Sequence, residues 1–193
     1  IQKGFSVDVM RALLKIAGTK TSARTDRLAR AGRMLSVFIN HKHLKRTVGV
    51  GAARDLYAEF ENLLNWDYHY WLHRGALELE NGNLALAEVF LRNSKGIEGN
   101  DVFVDHELAY LSLRKAIASP LALESAELVR EAMATFRVNA TRRPDQRPHI
   151  FHIMGTQGLQ WSQHSQMNLE DKREFLTQLL SNAESVLTQD KDN

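Results

Sequence analysis

Histidine is the residue type in this chain with the most chemistry to offer. His69 and His73 stand four apart and His149 and His152 three apart, so on a helix each pair shares one face and could grip a metal ion. Neither pair carries the glutamate of the H-E-x-x-H arrangement that turns two helical imidazoles into a hydrolytic zinc site. There is no cysteine, which removes thiolate ligands, thiol nucleophiles and disulfides together. No Gly-x-Ser-x-Gly turn occurs, and no pair of carboxylates sits where two environments would separate an acid from a base. Gly49-Val50-Gly51 lacks both the third glycine of a dinucleotide loop and the Gly-Lys-Ser/Thr of a phosphate loop, and it reads as a turn. The chemistry left to the histidines is non-covalent. An enzyme is not expected, nor a metal or a cofactor.

The elements that position these residues are helices. From Asp67 to Asn100, Trp71 is followed four residues later by Gly75; an Asn81-Gly82-Asn83 break comes next, then Ala87 and Leu91 four apart. Trp, Gly and Ala at these offsets match the 34-residue tetratricopeptide pattern, with Leu91 as the apolar residue standing for its Phe. The small residues have a steric role, since antiparallel helices approach closely only where Gly or Ala lies at the crossing. Arg74, Glu78 and Gly99 replace the pattern's Leu, Tyr and Pro, so the copy is divergent. The charge of Glu78 places that position at least partly in solvent.

Weaker copies follow. Leu108-Ala109 repeats the large-then-small pair after an expected helix start at Asp101, and a partner helix is expected from about Leu121, after Ser119-Pro120. Ala126 stands 39 residues after Ala87, a lengthened repeat. Thr141 to Pro148 reads as a connector rich in proline and arginine. Phe151 and Gly155 restate the aromatic-to-Gly spacing, and Asn168 with Asp171 three residues on opens a last helix. On that helix Phe175, Leu176, Leu179, Leu180, Ala183 and Leu187 form one apolar stripe, closing a helical array as terminal repeats do. The fold expected is all-α, a superhelical tetratricopeptide-like array over 51–193. Its concave groove is lined by first helices, which places His69, Leu72, Ala76, His106, Tyr110, His152 and Thr156 there as the residues to meet a protein partner. Lys and Asn are missing from the places where chaperone-tail readers clamp a carboxylate.

Residues 1–50 form a separate basic section. Over residues 1–54, twelve Lys and Arg stand against Asp8 and Asp26, a balance of +10, while the net charge of +2 for the whole chain leaves −8 for the remainder. A helix from Ser6 to Gly18 is expected first, then a second from Thr25, which His41 to Arg46 close with positive charge; a third runs from about Ala52 to Leu64. Arg24, Arg27, Arg30, Arg33, Lys42, Lys45 and Arg46 offer an alternative function, contact with nucleic-acid phosphates. No aromatic residues interleave them as single-strand binding prefers. A third possibility is a structural spacer. No apolar run reaches the length of a membrane span, and a cytoplasmic chain without a membrane partner is expected. Since the first residue is Ile1, the chain is expected to be part of a longer polypeptide whose other domains are further partners.

Two strings carry more than the repeat pattern. DYHYWLHRGALELENGNLALAEVFL, Asp67 to Leu91, and RPHIFHIMGTQGLQWSQ, Arg147 to Gln163, resemble the C-terminal helical-repeat region of prokaryotic antiphage defence proteins in which a sirtuin-type or other effector precedes a STAND-type NTPase. The resemblance covers roughly residues 50–190. It implies a sensor that recognises an invading phage protein and releases the NTPase to oligomerise. The nucleotide and NAD sites of such proteins have no counterpart in these residues.

Overall fold

The computed structural model describes residues 39–189 together with Ala12. The two helices expected before residue 39 otherwise lie outside the described residues, as do Arg24, Arg27, Arg30 and Arg33. Among the described residues every regular element is helical and there is no strand. The order is α1 (His41–Leu64), α2 (Tyr68–Glu80), α3 (Leu84–Ile97), α4 (Val102–Ala118), α5 (Ser125–Arg142), a 3-10 turn (Pro144–Gln146), α6 (Arg147–His164) and α7 (Leu169–Gln189). The chain divides into two compact units, Ile1–Asp101 and Val102–Asn193.

In the first unit His41 to Arg46 begin a helix instead of ending one. Asn40 caps it, its Oδ1 accepting from the backbone N–H of Lys42 and His43 at 3.1 and 3.3 Å. The expected turn at Gly49 survives as a kink inside α1: Gly49 has φ 83° and ψ 168°, a conformation that a side chain would strongly disfavour. Asp67 caps α2 by accepting from His69 N–H at 3.0 Å. α2 and α3 run antiparallel, since Ser94 near the end of α3 donates to the carbonyl of Tyr68 at the start of α2 (2.9 Å). Gly75 lies at their closest approach, facing Leu91. The core of the unit gathers Leu44, Leu56, Phe60, Tyr70 and Leu77. Its two buried phenols are satisfied in sequence: Tyr70 donates to the Tyr57 carbonyl at 2.6 Å, and Tyr57 donates to the Ile39 carbonyl.

Arg74 and Glu78, the two charged departures from the repeat pattern, have a tertiary cause. Both face α1. Arg74 donates to Glu61 (2.6 Å) and lies over the Phe90 ring at 4.2 Å, while Glu78 accepts two bonds from Arg54 at 2.7 Å each. Glu78 is 3% exposed, so the expectation of a partly solvated position is overturned. Complementary charges arriving from α1 make burial of the carboxylate tolerable.

In the second unit α4 packs on α5 and α6, and α7 packs on α6. α5 starts at Ser125, later than expected, and residues 119–124 form turns that leave Leu121 and Leu123 62% and 100% exposed. The connector is shorter than expected because α5 continues to Arg142 and Pro148 falls in the first turn of α6, where its missing N–H costs nothing. Asn168 and Asp171 form the expected cap of α7, with Asn168 Oδ1 accepting from the Asp171 N–H and its Nδ2 donating to the Asp171 carboxylate, both at 2.8 Å. Of the expected α7 stripe, Leu179 is buried and Phe175 and Leu176 are half-buried, whereas Leu180 and Ala183 are exposed; the side chain of Leu187 lies outside the description. The close approach in α6 is at Gly158, where an added Cβ would meet Leu179 and Met133 at 2.9 Å; around Gly155 the space is open.

One buried polar contact ties the unit together. Trp161 Nε1 donates to Ser125 Oγ at 2.6 Å, and the indole is 4% exposed. Ser125→Ala strands that N–H away from water. The expected cost is about 1–3 kcal/mol of unfolding free energy, read from urea melts. A loss under about 0.5 kcal/mol would mean that the indole finds another acceptor.

Candidate functional site

The second unit carries an apolar-floored cleft of about 430 Å³ between α5 and α7. Val129 and Met133, four apart on α5, and Phe175 and Leu179, four apart on α7, point into it because that spacing stacks side chains on one helical face. Trp161 of α6 and Met167 of the α6–α7 loop complete the floor. Arg130 and Arg137 edge the α5 side, seven residues and therefore about two turns apart, and Asp171 and Glu174 edge the α7 side. Arg130 pairs with Glu127 along its own helix, and Asp171 is engaged by Asn168. The cleft thus has an apolar bed and two walls of opposite charge. Its length along α5, from Ala126 to Arg137, corresponds to about 16 Å at the helical rise of roughly 1.5 Å per residue.

The first unit holds a smaller, polar pocket of about 390 Å³ between α1, α2 and α3. Its strongest charges, Arg54, Arg74 and Glu78, are already spent on the ion pairs described above. Nearby, the imidazoles meet other partners than a metal. His73 Nδ1 lies 3.2 Å from His41 Nδ1, His41 Nε2 lies 3.1 Å from Glu80 Oε1, and Lys45 donates to the other oxygen of Glu80 at 2.8 Å. His69 Nδ1 is held 2.9 Å from the Asp67 carboxylate that caps its helix. Among the described residues no group of three or more His, Cys, Asp or Glu is placed to hold a metal ion.

The expected groove residues fall in both units. His69, Leu72 and Ala76 belong to the first; Leu72 and Ala76 are 5% and 2% exposed, which leaves little of either for a ligand to touch. His106, Tyr110, His152 and Thr156 belong to the second. His106 is half-buried, edge-on to Phe136 and stacked at 6.0 Å on His149. Tyr110 is half-buried, its hydroxyl accepting from Arg114 at 3.3 Å. His152 and Thr156 are exposed, the threonine donating to the carbonyl of His152. None of the four lines the cleft. Of the described basic residues, Lys42, Lys45 and Arg46 are exposed, and Lys45 is drawn to Glu80. Sequence reasoning missed the cleft. Val129 and Met133 resemble any core face, and only the arginines at the rim, off the α5 core stripe, hinted that this side of the helix stays open.

Among the described residues no helix is long and apolar enough to cross a membrane. Comparison with family models, with characterised proteins and with solved structures returns no significant match.

Proposed function

We propose that this chain is a non-catalytic recognition module of tetratricopeptide-like helix pairs, which accepts an amphipathic helix of a partner protein in the cleft between α5 and α7. The observation that carries the reading is the cleft itself, about three turns long between two helices, with an apolar bed, Arg130 and Arg137 on one wall and Asp171 and Glu174 on the other. A third helix fits between two neighbours at about 8–10 Å from each axis, and apolar residues every three to four positions would meet Met167 and Phe175, the half-buried members of the cleft's apolar lining. The walls select flanks of both signs, acidic towards α5 and basic towards α7. The resemblance to sensor regions of prokaryotic defence proteins supports the same class of role, with a phage protein or another domain of a longer polypeptide as the source of the helix.

Three designed helical peptides sharing one apolar stripe test this by calorimetric titration: one with Glu along one flank and Lys along the other, one with Glu on both flanks, one with Lys on both. The mixed-charge peptide is expected to bind about three- to tenfold more tightly than either single-sign peptide, since each exposed ion pair contributes roughly 0.2–1 kcal/mol. Met167→Glu, a loop substitution that puts a charge at the cleft floor, is expected to weaken it at least tenfold. Binding that ignores Met167→Glu, or no binding by any of the three at millimolar concentration, would remove the cleft as the site.

A further inference from the structure

The pairing of His41 with His73 joins the first two turns of α1 to α2 through a contact that tolerates only one proton. His41 is 5% exposed, and its Nδ1 faces the Nδ1 of His73 at 3.2 Å. One hydrogen fits between two ring nitrogens at that distance: one must donate and the other must accept. Glu80 satisfies the far nitrogen of His41 at 3.1 Å, so protonation of His41 alone is accommodated, its Nδ1–H then pointing at a neutral His73. Protonation of both rings puts two N–H groups and two positive charges face to face. The charged and titratable groups around His73 come from both helices, His41, Lys42 and Lys45 from α1 and His69 and Glu80 from α2; the only carboxylate among them is already shared by His41 and Lys45.

The segment that carries His41 is also built to move as a piece. Gly49 breaks the helical dihedrals of α1 eight residues after His41, so the stretch before it can swing without unwinding the stretch after it. Holding it down are Ile39, Leu44 and Val48 against the core, the Tyr57 hydroxyl on the Ile39 carbonyl, and the His41–Glu80, Lys45–Glu80 and His41–His73 contacts. We propose that the segment before Gly49 is an acid-released clamp: docked on α2 at neutral pH, it swings away about Gly49 when a second proton enters the contact between His73 and His41.

The sign follows from His73. Burial, with the neighbouring His41, His69 and Lys42, lowers it from 6.5 to about 3 in the docked state. Once exposed it titrates near 6.5, so docking is fully favoured above that pH and weakens as the pH falls from about 6.5 towards 3. At pH 5 the undocked form gains a proton that the docked form refuses, which shifts the balance by about thirtyfold. Glu80, held down at about 2 chiefly by its bond to His41, stays ionised throughout this range and does not itself trigger release.

Hydrogen-exchange protection factors, corrected for intrinsic rates, test the clamp at pH 7.5 and pH 5.0. A two-turn helix does not hold in water once undocked, so protection of the amides of residues 44–48 is expected to fall at least tenfold at the lower pH, while α2, α3 and the stretch of α1 after Gly49 keep theirs. His73→Gln retains a hydrogen-bonding partner for His41 without the second charge, and it is expected to abolish the pH effect. If that variant fails to fold, His73→Asn removes the same ring and carries the same expectation. Unchanged protection in the wild type, an equal loss throughout the first unit, or a loss that survives the removal of the His73 ring would each overturn the proposal.

Discussion

Arg54→Ala is expected to cost about 2–3 kcal/mol of the first unit's stability, although Arg54 itself is 45% exposed and looks like a surface residue. Glu78 is the reason. Its carboxylate is 4% exposed and both its oxygens are taken by the Arg54 guanidinium at 2.7 Å. Truncating the arginine leaves a buried charge with its best donors gone, which costs about 3–5 kcal/mol where water cannot enter. Here the vacated space opens towards solvent and lets water recover part of that loss, so the low end applies. The double variant Arg54→Ala/Glu78→Leu should be more stable than Arg54→Ala alone, because it removes the stranded charge and adds apolar volume to a buried position. Urea denaturation of the two single variants and the double variant gives the coupling directly. If Arg54→Ala proved as mild as a typical surface change, within about 0.5 kcal/mol, the burial argument would be wrong.

Gly75→Leu is expected to cost about 3 kcal/mol or more, at the upper end of overpacking in a close-packed interior. A Cβ at this position would already stand 2.7 Å from Leu91 Cγ, 2.8 Å from its Cδ2 and 3.2 Å from its backbone nitrogen. The nearest atom is a branch point and the third is main chain, so rotating a flexible tip does not relieve the clash. α2 and α3 would have to separate along a contact that also holds Ala87 and Ser94 in the interior. Gly155 provides the contrast. It has open space around it, and Gly155→Ala should stabilise by up to about 1 kcal/mol through helix propensity alone. Thermal melts of the two variants should therefore move in opposite directions. A Gly75→Leu protein that melts with the wild type would remove the close approach at Leu91.

Local features of this chain are written in its sequence. Apolar residues recurring every three to four positions produce helices and Asn168 starts the last of them, because each depends on neighbours within a turn or two; the glycine four residues after Trp71 lies at a crossing with the helix that follows it directly in the chain. What required the tertiary structure depends on residues that meet from far apart. Glu78 reads as solvated until α1 brings Arg54 to it, 24 residues away, and His73 reads as half of a metal pair with His69 until His41 arrives from 32 residues away. Gly155 has the spacing of a crossing and Gly158 occupies it, since the approach of α7 decides which glycine has no room for a side chain. The cleft was invisible for the same reason. Val129, Met133, Phe175 and Leu179 carry the periodicity of any buried stripe, and an open space between two helices is a property of how far apart they pack, which no periodicity within either helix encodes.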